Sequence, residues 1–148
     1  MDKSSITKFP RDQGLVLTFK KIIVLLSLPL NIYAGEWKLD IHDCNVWNPS
    51  PIPNEKVEWQ GKCKDGYAHG LGTVQWFKDG KKSNQLTGIA INGKLEGEVK
   101  VAYPNGDIYI GELDIDGFKT GRAKYIHNGK EEMRLYYDDK TILKYENQ

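Results

Sequence analysis

Long apolar runs are the first thing missing from this chain of 148 residues. The one sustained run, Ile22 to Leu30, falls short of the about 20 apolar residues that cross a bilayer, and Lys20 and Lys21 keep it from merging with Leu15 to Phe19. Charge of one sign is missing as well. Lys and Arg number 21 against 20 Asp and Glu, and Met1 to Ala34 holds five of the basic and two of the acidic residues, so the remainder is slightly acidic. That argues against a nucleic-acid partner gripped through its phosphates. Histidine is scarce at three, with His42, His69 and His127 scattered. No serine stands in a nucleophile elbow and no glycine-rich loop opens a helix, so no catalytic set can be named and neither enzyme activity nor a cofactor or metal is expected.

What is abundant is glycine, and it is spaced. Gly61, Gly66 and Gly70 are followed by Gly88, Gly93 and Gly97 with the same internal spacing, then by Gly111, Gly117 and Gly121 with one residue added. A repeat of roughly 23 to 27 residues marks a stacked array whose units bury their apolar faces against one another. With 39% hydrophobic and 28% charged residues, the composition is that of one folded domain and not of a disordered chain.

The leading segment, residues 1–34, has a different logic. Lys20 and Lys21, the apolar run, and the closing Ile32, Tyr33 and Ala34 have the order of a secretory signal peptide, with cleavage expected after Ala34 and residues Met1 to Thr18 as a long prelude. An exported protein, periplasmic or secreted, follows. Outside the cytosol the single pair Cys44 and Cys63 reads as a disulfide that pins the N-terminal segment to the first repeat and stabilises by roughly 3 kcal/mol. A metal site of His42, Cys44, Cys63 and His69 is the weaker alternative, because it lacks short-spaced ligand pairs. Within residues 35–56, Pro49, Pro51 and Pro53 alternate, which predicts an extended strap, read as a loop covering the sheet edge.

Residues 57–129 read as three hairpins. Val57, Trp59, Gly61 and Cys63 alternate with polar residues, Asp65-Gly66 makes a turn, and Gly70, Gly72, Val74 and Trp76 alternate on the return. Asn92-Gly93 and Asp116-Gly117 turn the second and third units, Pro104-Asn105-Gly106 separates them, and Asn128-Gly129 closes the third. Residues 130–148 form a degenerate terminal hairpin, turning at Asp138 to Lys140, of the kind that caps an array.

Trp59-Gln60-Gly61, Asp65-Gly66, His69-Gly70-Leu71-Gly72 and Trp76 together resemble a MORN repeat. Leu86, Gly88, Asn92-Gly93, Gly97 and Tyr103, then Tyr109, Gly111, Gly117 and Gly121, resemble it more faintly, with Val99 and Ala123 in place of the second glycine of Gly-x-Gly. The resemblance implies an all-β, elongated, single-layer antiparallel sheet of successive hairpins, and a binding or scaffolding module without a fixed chemistry. An aromatic residue can pack over the glycine of a neighbouring strand, which gives most of the rings a place in the repeat core. A single layer still leaves rings over, and Tyr67, Trp76, Tyr103, Tyr109 and Tyr125 are the candidate contacts with a partner.

Smaller signals have plainer readings. His69 is expected to brace a hairpin by a hydrogen bond. Glu112, Asp114 and Asp116 suggest a solvated turn ahead of calcium, and Lys78, Lys81 and Lys82 form a small basic turn. The expected function is a non-catalytic exported module that binds a protein partner, or itself, through sheet face or edge. An envelope polysaccharide or phospholipid is the alternative ligand.

Overall fold

The computed structural model describes residues 34–146, so the expected signal segment, apart from Ala34, lies outside the described residues. Ten strands follow in chain order: Glu36–Leu39 (β1), Asn45–Asn48 (β2), Glu55–Lys64 (β3), Tyr67–Lys78 (β4), Lys81–Ile91 (β5), Lys94–Ala102 (β6), Ile108–Leu113 (β7), Lys119–His127 (β8), Lys130–Tyr137 (β9) and Lys140–Glu146 (β10). From β3 to β10 each strand pairs antiparallel with the next, forming one elongated open sheet of successive hairpins. The hairpin turns expected from Asp-Gly and Asn-Gly pairs are all present.

The glycine ladder separates into three structural roles. In the hairpins β3–β4, β5–β6 and β7–β8 the register breaks at the same place, where the returning strand carries two residues more than its partner. Gly70, Gly97 and Gly121 fall in those breaks with φ of 78°, 72° and 68°, a left-handed conformation that glycine adopts without steric cost. Gly66, Gly93 and Gly117 hold the turns. The first glycine of each set lies in a strand with no room above it. The Trp59 indole covers both Gly61 and Gly72, while the Tyr109 ring and Ala123 cover Gly111. Each of those two rings also ties down its own strand: Trp59 Nε1 donates to the Lys62 carbonyl at 2.9 Å, and the Tyr109 hydroxyl to that of Glu112 at 2.8 Å. The same aromatic-to-carbonyl bridge, three residues ahead, thus recurs in the first and third hairpins.

Strand alternation sends the apolar side chains to one face, called inner here. Val57, Trp59, Ala68, Val74, Trp76 and Ala90 form one buried cluster with Cys44 and Val46. Val99, Val101, Tyr109, Leu113, Ala123 and Tyr136 form a second, and Leu86 and Leu95 pack against both.

The N-terminal segment runs across the hairpins instead of beside them. Strand β2 lies along the hairpin tips: Asn45 N–H donates to the Gly66 carbonyl at 2.8 Å, Trp47 N–H to Gly93 at 2.8 Å, and Trp47 Nε1 to Asp116 at 3.0 Å. The expected disulfide Cys44–Cys63 fastens this clasp to β3. The cysteines are therefore bonded to each other and cannot serve as thiolate ligands with His42 and His69. The proline strap differs from expectation. It does not line a sheet edge; it leaves the tips at Pro49, against Gly117, and reaches the far end of the hairpins, where Lys78 Nζ donates to the Pro53 carbonyl at 2.6 Å. The free edge of β3 is served by Asp40, whose Oδ2 accepts from Trp59 N–H at 3.1 Å.

Candidate functional site

Between strap and sheet lies a groove of about 260 Å³. Its floor is the inner face, with Trp76, Leu86, Val101, Tyr103 and Leu113, and its walls bring Asn48, Glu55, Ser83, Asn84, Lys119 and Asp139 around that apolar surface. The strap contributes Pro49, Ser50 and Ile52. Asn48 donates to Glu55 at 2.5 Å and accepts at its side-chain oxygen from Ser50 N–H at 3.0 Å, so the polar wall is held in place by its own hydrogen bonds.

The C-terminal end of the groove is built from tyrosines around one lysine. Lys119 Nζ lies 6.0, 5.7 and 5.9 Å from the ring centres of Tyr103, Tyr109 and Tyr136, and 3.3 Å from Asp139 Oδ1. Burial works against its charge, but Tyr103 and the Asp139 carboxylate outweigh that and hold its pKa above the ordinary lysine value. Beyond it, Arg134 stacks 3.4 Å from the Tyr125 ring centre and pairs with Glu132. The Tyr125 hydroxyl donates to Asp107 at 2.6 Å; burial, then this acceptor, push its pKa up to about 12. His127 Nδ1 lies 2.8 Å from the other Asp107 oxygen. Asp107 titrates below the ordinary carboxylate range, first because of Tyr125 and then, against the cost of desolvation, because of His127 and Asn105.

The five candidate contact residues are divided by this geometry. Trp76 and Tyr103 line the groove, with Trp76 only 9% exposed, and Tyr125 adjoins it, 6.2 Å from Tyr103. Tyr109 offers no surface for a contact. It is fully buried and edge-on to Tyr136 at 5.3 Å, because its ring fills the space above Gly111. Tyr67 points to the opposite, outer face, where it meets Trp37 at 5.2 Å, and Trp37 in turn meets Trp47 at 5.1 Å. Sequence alone missed Lys119, Asp139, Ser83 and Asn84, which come together only through strand register and carry no local motif. The alternate prolines were the one legible sign of a wall.

The minor signals also find their places. His69 makes no bracing bond through Nδ1, which is buried without a hydrogen-bond partner. Asp114 Oδ1 accepts from Asp116 N–H and Phe118 N–H, both at 3.0 Å, and so shapes its turn. Lys78 is engaged by Pro53 and Asp79. No protein-family model matches the chain, and no curated protein matches it.

Proposed function

We propose that the chain is an exported, non-catalytic module of MORN-like repeats that binds a protein partner through the groove on its inner face. The observation that carries this is the groove itself: an apolar floor left open beside a strap and ringed by fixed amide, hydroxyl and charged groups suits an apolar side chain of a partner with polar main chain around it. The disulfide supports an oxidising compartment. The polar wall of Asn48, Ser83 and Asn84 above the Trp76 and Tyr103 rings favours one second ligand, an envelope polysaccharide, whose hydroxyls and apolar sugar faces such a surface also suits.

The test is affinity capture from a cell-envelope fraction, comparing wild type with Ser83→Arg, which fills the groove from its rim, and Tyr103→Ala. A protein captured by wild type and lost with both variants supports the proposal. Capture of glycan alone, lost with the same variants, transfers the groove to the polysaccharide. Equal capture by all three proteins overturns the groove as the binding site.

A further inference from the structure

Three of the turns contain an Asn-Gly pair: Asn92-Gly93, Asn105-Gly106 and Asn128-Gly129. Such a pair carries a reaction of its own. The backbone nitrogen of the glycine, once hydroxide has taken its proton, attacks the asparagine Cγ. The new C–N bond closes a five-membered succinimide, and the side-chain nitrogen takes up a proton and leaves as ammonia. Water then opens the ring at one of its two carbonyls, giving aspartate or, with the main chain rerouted through the side-chain carbon, isoaspartate. Glycine favours the attack because it has no side chain to shield its nitrogen or to restrict the backbone.

In a folded chain two further conditions apply. The glycine N–H must not be engaged by an acceptor. The turn must also be able to open, since the left-handed conformation of Asn92 and Asn128, with φ of 48° and 51°, turns the glycine nitrogen away from the asparagine side chain. The reaction therefore selects the turn that is least held.

The three turns are held to different degrees. Gly93 is buried; its N–H donates to the Ala68 carbonyl at 2.9 Å, its carbonyl accepts from Trp47 N–H at 2.8 Å, and the Trp37 ring lies against it. Gly106 N–H donates to the Tyr103 carbonyl at 3.0 Å. Beside it the Asn105 side chain is pinned twice, Oδ1 accepting from Asp107 N–H at 3.1 Å and Nδ2 donating to Asp107 Oδ2 at 3.0 Å. At the third pair both residues are exposed, and Gly129 N–H has no acceptor among the described residues. There the amide Nδ2 lies 2.9 Å from Nε2 of His127, whose side chain is itself 56% exposed. This turn joins β8 to β9 at the other end of the strands from the clasp.

We propose that Asn128 is a site of spontaneous deamidation in the folded protein, converted ahead of Asn92 and Asn105. The product sets a carboxylate where a neutral amide stood, next to His127, whose Nδ1 is already 2.8 Å from Asp107 Oδ1. In the isoaspartate form the connection between β8 and β9 also gains a methylene. None of this depends on what the groove binds.

The purified protein, kept in mildly alkaline buffer and sampled over weeks, is digested at acid pH and mapped by mass spectrometry with fragmentation that separates aspartate from isoaspartate. Conversion at Asn128 should run roughly tenfold or more ahead of conversion at Asn92 and Asn105, because the rates follow the opening of each turn. A parallel sample in concentrated urea with a reductant, where no turn is held, should convert all three at similar rates, since the pairs share the same chemistry. Equal or faster conversion of Asn92 or Asn105 in the folded protein overturns the proposal. So does an Asn128 that stays intact when folded but converts in urea, and so does a preference for Asn128 that persists undiminished in urea, which would take the fold out of the selection.

Discussion

Asp40 shows how much one side chain can organise. It is 5% exposed, and its Oδ1 accepts from His42 N–H at 2.9 Å and Cys44 N–H at 2.8 Å while Oδ2 accepts from Trp59 N–H. One carboxylate thus closes the β1–β2 turn, seats a disulfide cysteine and occupies a donor on the free edge of β3. Desolvation raises its pKa, but the bonds from Cys44, Trp59 and His42 outweigh that and leave it below 3.8. A carboxylate whose folded pKa is depressed contributes stability above its unfolded pKa and loses it as pH falls through the folded one. Asp40→Ala should lower the unfolding free energy by about 2 to 4 kcal/mol at neutral pH, since buried N–H groups lose their acceptor. Asp40→Asn should also flatten the acid limb of stability against pH below 3.8, and urea titrations at several pH values would show both. If the acid limb is unchanged in Asp40→Asn, other carboxylates govern acid unfolding.

At the scale of the element, the hairpins were legible because their determinants are local. Turn glycines, alternation and an aromatic two residues ahead of a glycine lie within one stretch of sequence, and the structure reproduces them. The bulges were not foreseen, since Gly70, Gly97 and Gly121 look like any strand glycine until the register is known. Gly97 has open space around its Cα, so its need for glycine is conformational alone. Gly97→Ala should therefore cost about 1 to 2 kcal/mol, the left-handed penalty of a side chain, and Gly97→Asn less. Thermal denaturation of the pair would separate this from packing, which would penalise the larger Asn more. Strands β1 and β2 were also illegible. Strand β1 pairs only with β2, and β2 is held by turn carbonyls far along the chain, so neither is marked by its own stretch of sequence. The groove shares that origin: Ser83, Lys119 and Asp139 are neighbours only after three hairpins are stacked.

For the whole molecule the question is what makes a row of hairpins behave as one body. Neighbour-to-neighbour contacts alone give an array that can fray from either end. Here the clasp touches three tips and is fixed by a disulfide whose cysteines are separated by 19 in sequence. Replacing both cysteines with serine should lower stability by about 3 kcal/mol in the chain-entropy account. Trp47→Ala removes the bond to Asp116 and the ring that covers Gly35, so the third hairpin should lose protection from amide hydrogen exchange before the first. Uniform loss across all hairpins would mean that the inner-face core alone couples them.

The same clasp bears on how the protein is made. Trp47 leaves the ribosome 69 residues ahead of Asp116, the carbonyl that it finally holds. The hairpins can close one after another as they emerge, each from its own local signals, whereas the segment synthesised before them gains its partners one tip at a time, Gly66 first, Gly93 next and Asp116 last. The earliest part of the described chain is therefore fully fastened only once the third turn exists, and an incomplete chain is distinguished from a finished one by an indole of Trp47 that still lacks its acceptor.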